Sequence, residues 1–120
     1  MKTIDWTKLS FSYSPTNTVL TCLYKDGKWG PIESQTAASL NLTVFSPSLH
    51  YGMSCFEGLK AFRGADDKVR IFRVDENAKR MQSSAGFLGI PCPDEELFKK
   101  MCVQAVKENL DYLPPYELRA

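Results

Sequence analysis

The chain has 120 residues, 43% of them hydrophobic and 24% charged, and its 15 basic and 14 acidic residues leave a formal net charge of +1. This length and composition predict a single globular domain with a core of its own and exclude an intrinsically disordered chain. Because charges of both signs are mixed along the chain, we expect neither nucleic acid nor an anionic membrane as a partner.

The first segment and the cysteines bear on the cellular compartment. Residues 1–13 (MKTIDWTKLSFSY) lack the basic and then apolar order of a signal peptide, and no apolar run is long enough to cross a bilayer. The cysteines show no C-x-x-C spacing and the chain has one histidine, so we do not expect a zinc site. The sequence predicts a cytoplasmic protein whose free thiols serve as small core residues, namely Cys22, Cys55, Cys92 and Cys102.

The first element predicted along the chain is a β-hairpin. Residues 17–24 are rich in threonine, valine, leucine and tyrosine, which favour a strand, and the following Asp26-Gly27 pair is typical of a two-residue turn. Trp29 opens the returning strand, which Pro31 limits to its first residues or to a sheet edge.

A short helix and a longer strand are predicted next. Pro47, flanked by two serines that can cap a helix, indicates a short helix over residues 49–54. In residues 55–63 the side chains alternate as in a strand, and neither face is uniformly polar or apolar. This pattern is expected of a strand with one end in the core and the other against a ligand. A buried strand in which Gly58 relieves a crowded point is the alternative.

His50 is the single histidine of the chain and therefore invites a catalytic interpretation. No carboxylate or nucleophile lies close to it in sequence to form a proton relay. We therefore favour an imidazole that is bonded to a backbone group.

The second half of the chain predicts another hairpin and two helices. Residues 65–68 form a polar turn into a strand over residues 69–73, and the two strands of this hairpin should pair antiparallel. With the first hairpin they would form a sheet of at least four strands. The helices are predicted to run from an N-cap at Asp75 to Gly89, and from near Pro93 to residues 114–115. Strands followed by two helices predict an α+β fold, with the helices packed on an antiparallel β-sheet.

Two consecutive runs, HYGMSCFEGLKAFRG and DDKVRIFRVDENAKRM, closely resemble the N-terminal domain of branched-chain amino-acid aminotransferases, which are pyridoxal-phosphate enzymes of fold type IV. The likeness extends over residues 11–116. It implies that residues 1–120 are the small N-terminal domain of such an enzyme. The lysine that forms the Schiff base with the cofactor would then belong to a larger C-terminal domain that this chain lacks, and Lys60 does not match it.

The resemblance also implies roles for four residues, none of them catalytic and none a metal ligand. Arg80 matches the arginine that holds the phosphate of pyridoxal 5'-phosphate, and the donors of a guanidinium suit two phosphate oxygens. On the residues alone, Arg80 lies off the apolar stripe of its helix and would be a solvated surface arginine. Phe11, Tyr51 and Phe56 match residues that line the substrate pocket. Packing in an N-terminal arm is the alternative for Phe11, and core packing is the alternative for Phe56.

The activity implied by the resemblance is transfer of the amino group of leucine, isoleucine or valine to 2-oxoglutarate by a homo-oligomer, a dimer or larger. We expect the chain alone to be inactive, and to self-associate because a domain that leans on its neighbours leaves apolar surface exposed. Two alternatives remain. The first is a D-amino-acid aminotransferase or aminodeoxychorismate lyase on the same scaffold, and the second is a noncatalytic interaction domain.

Overall fold

Short antiparallel strand pairs form the first part of the chain in a computed structural model, which describes residues 4–8, 10 and 12–118. β1 pairs with β4, and β2 pairs with β3 between them, so one hairpin is nested inside the other. The strands are β1 (Val19–Thr21), β2 (Tyr24–Lys25), β3 (Lys28–Trp29) and β4 (Glu33–Gln35).

The turn between β2 and β3 confirms the hairpin predicted from the Asp26-Gly27 pair. These two residues have φ angles of 52° and 79°, both in the left-handed region, as a type I′ turn requires. Tyr24 and Trp29 lie opposite each other at the base of the turn, with ring centroids 5.1 Å apart and planes at 60°. This edge-to-face contact closes the inner hairpin.

α1 (Pro47–His50) is a single helical turn that lies earlier than the helix predicted over residues 49–54. Ser46 occupies its N-cap position without a side-chain hydrogen bond to the helix, and proline stands at the start. His50 Nε2 lies within hydrogen-bonding distance of the Val44 carbonyl oxygen. The predicted backbone partner of the imidazole is therefore confirmed.

The strand predicted over residues 55–63 is regular only at its end. β5 (Ala61–Arg63) pairs antiparallel with β6 (Val69–Ile71), in the hairpin predicted for this region. Residues 55–60 form no strand, and side chains of a helix bond to this segment. One example is Asn77 Nδ2, which donates to the Gly58 carbonyl oxygen at 3.2 Å.

The strands of the described residues make three separate two-stranded sheets, so the predicted single sheet of at least four strands is wrong. Residues 36–60 separate the first two sheets from the third and contain one helical turn, without a described strand that could join them. The predicted α+β class is confirmed, since antiparallel pairs are followed by two long helices.

α2 (Val74–Leu88) begins and ends on residues with left-handed backbone angles. Its N-cap is Arg73, with φ of 50°, so the predicted cap at Asp75 is wrong by two residues and Asp75 lies in the first turn. Gly89 ends the helix as predicted, with φ of 71°. The Ile90 N–H donates to the Ala85 carbonyl oxygen at 3.0 Å, which completes a Schellman motif.

α3 (Glu95–Glu108) starts two residues later than predicted and ends before the two prolines. Its N-cap is Asp94, whose Oδ1 accepts from the Leu97 N–H at 2.8 Å, so Pro93 precedes the cap instead of starting the helix. A 3-10 turn over Leu110–Tyr112 follows.

The helices pack on each other, and the end of α3 packs on β1. The Thr18 N–H donates to Asn109 Oδ1 at 3.0 Å, and Ser34 Oγ donates to Glu108 Oε2 at 2.9 Å, which ties the end of α3 to the outer hairpin. Ala78 and Ala85, each 1% exposed, are the buried hydrophobic residues of the described chain. This core is small, and large apolar side chains remain at the surface.

No helix in the described part of the chain has the length and the apolar character needed to cross a bilayer.

Candidate functional site

Residues 55–58 run alongside α2 in the opposite direction and are attached to it by side-chain contacts. Cys55 Sγ lies 3.6 Å from Met81 Sδ, near the middle of the helix. Toward the helix start, Asn77 Nδ2 donates to Glu57 Oε1 at 2.9 Å as well as to the carbonyl oxygen of Gly58. This segment and α2 together form the framework of the candidate site.

The central contact of this framework is the ion pair of Arg80 and Glu57. Arg80 Nε donates to Glu57 Oε2 at 2.8 Å, and Arg80 Nη2 donates to Glu57 Oε1. The Glu57 side chain is 4% exposed, whereas that of Arg80 is 67% exposed. The hydrogen bonds from Arg80 and then Asn77 lower the pKa of Glu57 from 4.5 to about 2, and Glu57 in turn raises the pKa of Arg80. The pair is therefore fully charged at neutral pH.

Arg80 keeps an open edge after it has bonded to Glu57. A guanidinium has five N–H groups, and Glu57 uses one on Nε and one on Nη2. The two on Nη1 and the second on Nη2 bond to no other residue that the structure describes. Adjacent nitrogens with free N–H groups can bind two oxygens of a phosphate or a carboxylate. The outer edge of Arg80 is thus open to an anion that offers two such oxygens.

The two predicted pocket aromatics that the structure describes are both exposed. Phe56 is 90% exposed while the next side chain, Glu57, is buried against α2, as the alternation of an extended chain requires. Core packing of Phe56, the alternative open from the sequence, is thereby excluded. Tyr51 follows α1 and is 81% exposed.

The structure does not join the predicted site residues that it describes to one another. Phe56 precedes Glu57, the partner of Arg80, but its ring lies on the other side of the chain, and no ring contact or hydrogen bond joins Phe56 to Arg80 among the described residues. No ring contact or hydrogen bond joins Tyr51 to either of them in the described part of the chain. Phe11 lies outside the described residues.

Glu57 and Asn77 were not predicted as site residues from the sequence. A signal was present, because Asn77 and Arg80 are three residues apart and so share one face of α2. In the strand pattern, Glu57 stands on the face opposite Phe56 and Gly58. Neither pattern alone indicates that the two faces meet.

No group of three or more histidine, cysteine, aspartate or glutamate side chains is arranged to hold a metal ion within residues 4–8, 10 and 12–118. All four cysteines are free thiols. Burial raises the pKa of Cys102, and burial together with the nearby Cys55 raises that of Cys92.

Known proteins with similar sequences are aminotransferases. A branched-chain-amino-acid aminotransferase of Helicobacter pylori is 44% identical over 117 residues, which are 98% of this chain and 34% of that protein. One of Haemophilus influenzae is 44% identical over 116 residues, 97% of this chain and 34% of that protein. Transaminase AMT5 of Alternaria alternata is 37% identical over 118 residues, 97% of this chain and 32% of that protein. No family model matches the chain.

These similarities relate the chain to the aminotransferases, a class of transferases. The chain spans about a third of the length of the relatives that it matches. Within that class, both relatives at 44% identity are branched-chain-amino-acid aminotransferases. The resemblance predicted from the residues around Phe56 and Arg80 is therefore confirmed.

Proposed function

We propose that residues 1–120 are the small N-terminal domain of a pyridoxal-phosphate-dependent aminotransferase that transfers the amino group of leucine, isoleucine or valine to 2-oxoglutarate. The observation that carries this proposal is Arg80, an exposed guanidinium that a buried carboxylate holds with free donors on its outer edge. The 44% identity to two branched-chain aminotransferases supports the same activity. A second domain would supply the lysine that carries the cofactor.

Each site residue would have a distinct task in such an enzyme. The cofactor, when bound, supplies the electron sink that amino-group transfer requires. Arg80 would bind its phosphate through Nη1 and Nη2 and so fix its position. Phe56, Tyr51 and Phe11 would line an apolar pocket that receives a branched side chain and excludes water. The Tyr51 hydroxyl adds one polar group that can donate or accept a hydrogen bond.

We also propose a homo-oligomer, a dimer or larger, in the cytoplasm. Exposed aromatic side chains support association, since the phenylalanines at positions 45, 72 and 87 are 85%, 77% and 92% exposed. A groove of about 480 Å³ between the β5–β6 hairpin and α3 adds further apolar surface through Val69, Ile71, Val103 and Val106, beside the charged side chains of Arg63, Asp67 and Lys107. Four free thiols are typical of a reducing compartment.

The activity is tested on the full-length polypeptide that carries this sequence, purified with pyridoxal phosphate. We expect glutamate to form from 2-oxoglutarate when leucine is added, and the absorbance of the bound cofactor to change on adding leucine alone. D-Alanine and aminodeoxychorismate are the comparison substrates. Turnover of either of these without turnover of leucine would reject the branched-chain assignment.

A further inference from the structure

We infer that Glu57 is a positioning residue, which holds Arg80 so that its outer edge faces the phosphate of the cofactor. This inference rests on the proposed function, because it takes the phosphate as the anion that Arg80 binds. Glu57 itself touches neither cofactor nor substrate in this arrangement. It acts only through Arg80.

Both oxygens of the Glu57 carboxylate are bonded to side chains of α2. Oε2 accepts from Arg80 Nε, and Oε1 accepts from Arg80 Nη2 and from Asn77 Nδ2. Its side chain is 4% exposed, and a buried carboxylate is costly unless charged and polar partners surround it. Arg80 is the only cation bonded to it among the described residues, so the buried acid requires the guanidinium in this position.

Without a partner, a mostly exposed arginine has no fixed orientation. The Arg80 side chain is 67% exposed, and an unpaired arginine at such a position samples many rotamers. Two parallel hydrogen bonds to one carboxylate fix both the position and the plane of the guanidinium. An anion that binds to a fixed guanidinium loses less conformational entropy than one that must first order it.

Glu57 also has an electrostatic effect on the affinity of Arg80 for an anion, and this effect is opposite in sign to that of positioning. The inference is therefore testable. The carboxylate neutralises the charge of Arg80, so by charge alone its removal should tighten the binding of an anion. Under the positioning role, its removal should weaken that binding. The direction of the change therefore decides between the two effects.

The test compares pyridoxal phosphate with pyridoxal, which lacks the phosphate, as ligands of the full-length polypeptide. Dissociation constants are measured for the natural sequence and for Glu57→Ala, Glu57→Gln, Arg80→Ala and the double variant Glu57→Ala/Arg80→Ala. Glu76→Ala is the control, because it removes one acid from α2, the helix that carries Arg80. The Glu76 side chain is 49% exposed and pairs with Lys79 and Arg73 instead of Arg80.

We expect Glu57→Ala to raise the dissociation constant of pyridoxal phosphate by about tenfold, by analogy with the roughly tenfold to hundredfold loss of metal affinity when a residue that orients a metal ligand is removed. The dissociation constant of pyridoxal should change by less than about twofold. Glu57→Gln should raise the ratio of the pyridoxal phosphate constant to the pyridoxal constant as well, but by less than Glu57→Ala, since glutamine keeps one acceptor oxygen. The double variant should bind like Arg80→Ala, because Glu57 acts through Arg80. Glu76→Ala should bind like the natural sequence.

Failure of this inference is distinguishable from failure of the proposed function. If Arg80→Ala abolishes the preference for the phosphorylated ligand while Glu57→Ala leaves it unchanged or increases it, the positioning role is refuted and the phosphate role of Arg80 stands. If Arg80→Ala leaves the preference intact, the phosphate role of Arg80 falls and the inference falls with it. If Glu57→Ala fails to fold, the direction of the ratio in Glu57→Gln decides.

Discussion

Substitution by alanine should change the free energy of unfolding in opposite directions at two glycines near the end of α2, which are three residues apart. Gly86 lies inside the helix, and a Cβ built on it meets no atom within 4 Å. Gly86→Ala should therefore stabilise the fold by about 0.5–1 kcal/mol, the difference in helix propensity between the two residues. Gly89 also has open space around it, but its φ is +71°. Gly89→Ala should destabilise by about 1–2 kcal/mol, because a Cβ is unfavourable in the left-handed region.

The expected difference in stability between the two variants is large enough to be measured by thermal unfolding. With 120 residues and an unfolding entropy of about 2.1 cal/mol/K per residue, 1 kcal/mol corresponds to about 4 °C, so the two midpoints should differ by about 6–12 °C. The assay is far-ultraviolet circular dichroism of both variants at one protein concentration, since association shifts the midpoint. Midpoints that move in the same direction would refute the left-handed helix end at Gly89.

Three further predictions concern the site and the surface. Because the folded pKa of Glu57 is about 2 and its ordinary value 4.5, its stabilising effect should be complete above pH 4.5 and be lost as the pH falls toward 2. The difference in urea midpoint between the natural sequence and Glu57→Gln should shrink over that window, and a difference independent of pH would contradict the ion pair. Phe56→Ala should leave the free energy of unfolding within about 0.5 kcal/mol, since the ring is 90% exposed, yet raise the KM of the full-length enzyme for leucine; an unchanged KM would remove Phe56 from the pocket. The isolated 120-residue chain should form no glutamate and should self-associate on size-exclusion chromatography, and a monomer at every concentration would argue against an exposed interface.

Local backbone chemistry is the part of this fold that sequence predicts well. The Asp26-Gly27 turn and the end of α2 at Gly89 depend on residues that tolerate positive φ, and both were located correctly. The helix starts were less accurate. The N-cap of α2 is Arg73, whose backbone is in the left-handed region. Arginine has no preference for that region, so the sequence does not indicate this helix start.

The features that the sequence did not predict, namely the separate sheets and the Glu57 partner of Arg80, depend on contacts between segments far apart in the chain. The single sheet was expected because two hairpins were predicted, but the sequence does not show whether two hairpins pair with each other. Alternation in residues 55–60 likewise indicated an extended chain without showing that it contacts a helix instead of a strand. Arg80 was predicted as a site residue from the family resemblance, since its position off the apolar stripe alone indicates a solvated surface arginine. Its partner Glu57 is 23 residues away in sequence, and a buried acid is indistinguishable from a solvated one in a polarity pattern.

The contact between Glu57 and α2 also constrains how this part of the chain can vary in length. In an extended chain, adding or deleting one residue between Glu57 and β5 would turn neighbouring side chains to opposite sides. An aromatic ring would then press on the helix while the acid turned to solvent, and the guanidinium would lose its anchor. A one-residue insertion would therefore displace the Phe56 ring and break the ion pair of Glu57 and Arg80 in a single event, whereas a substitution changes one side chain at a time.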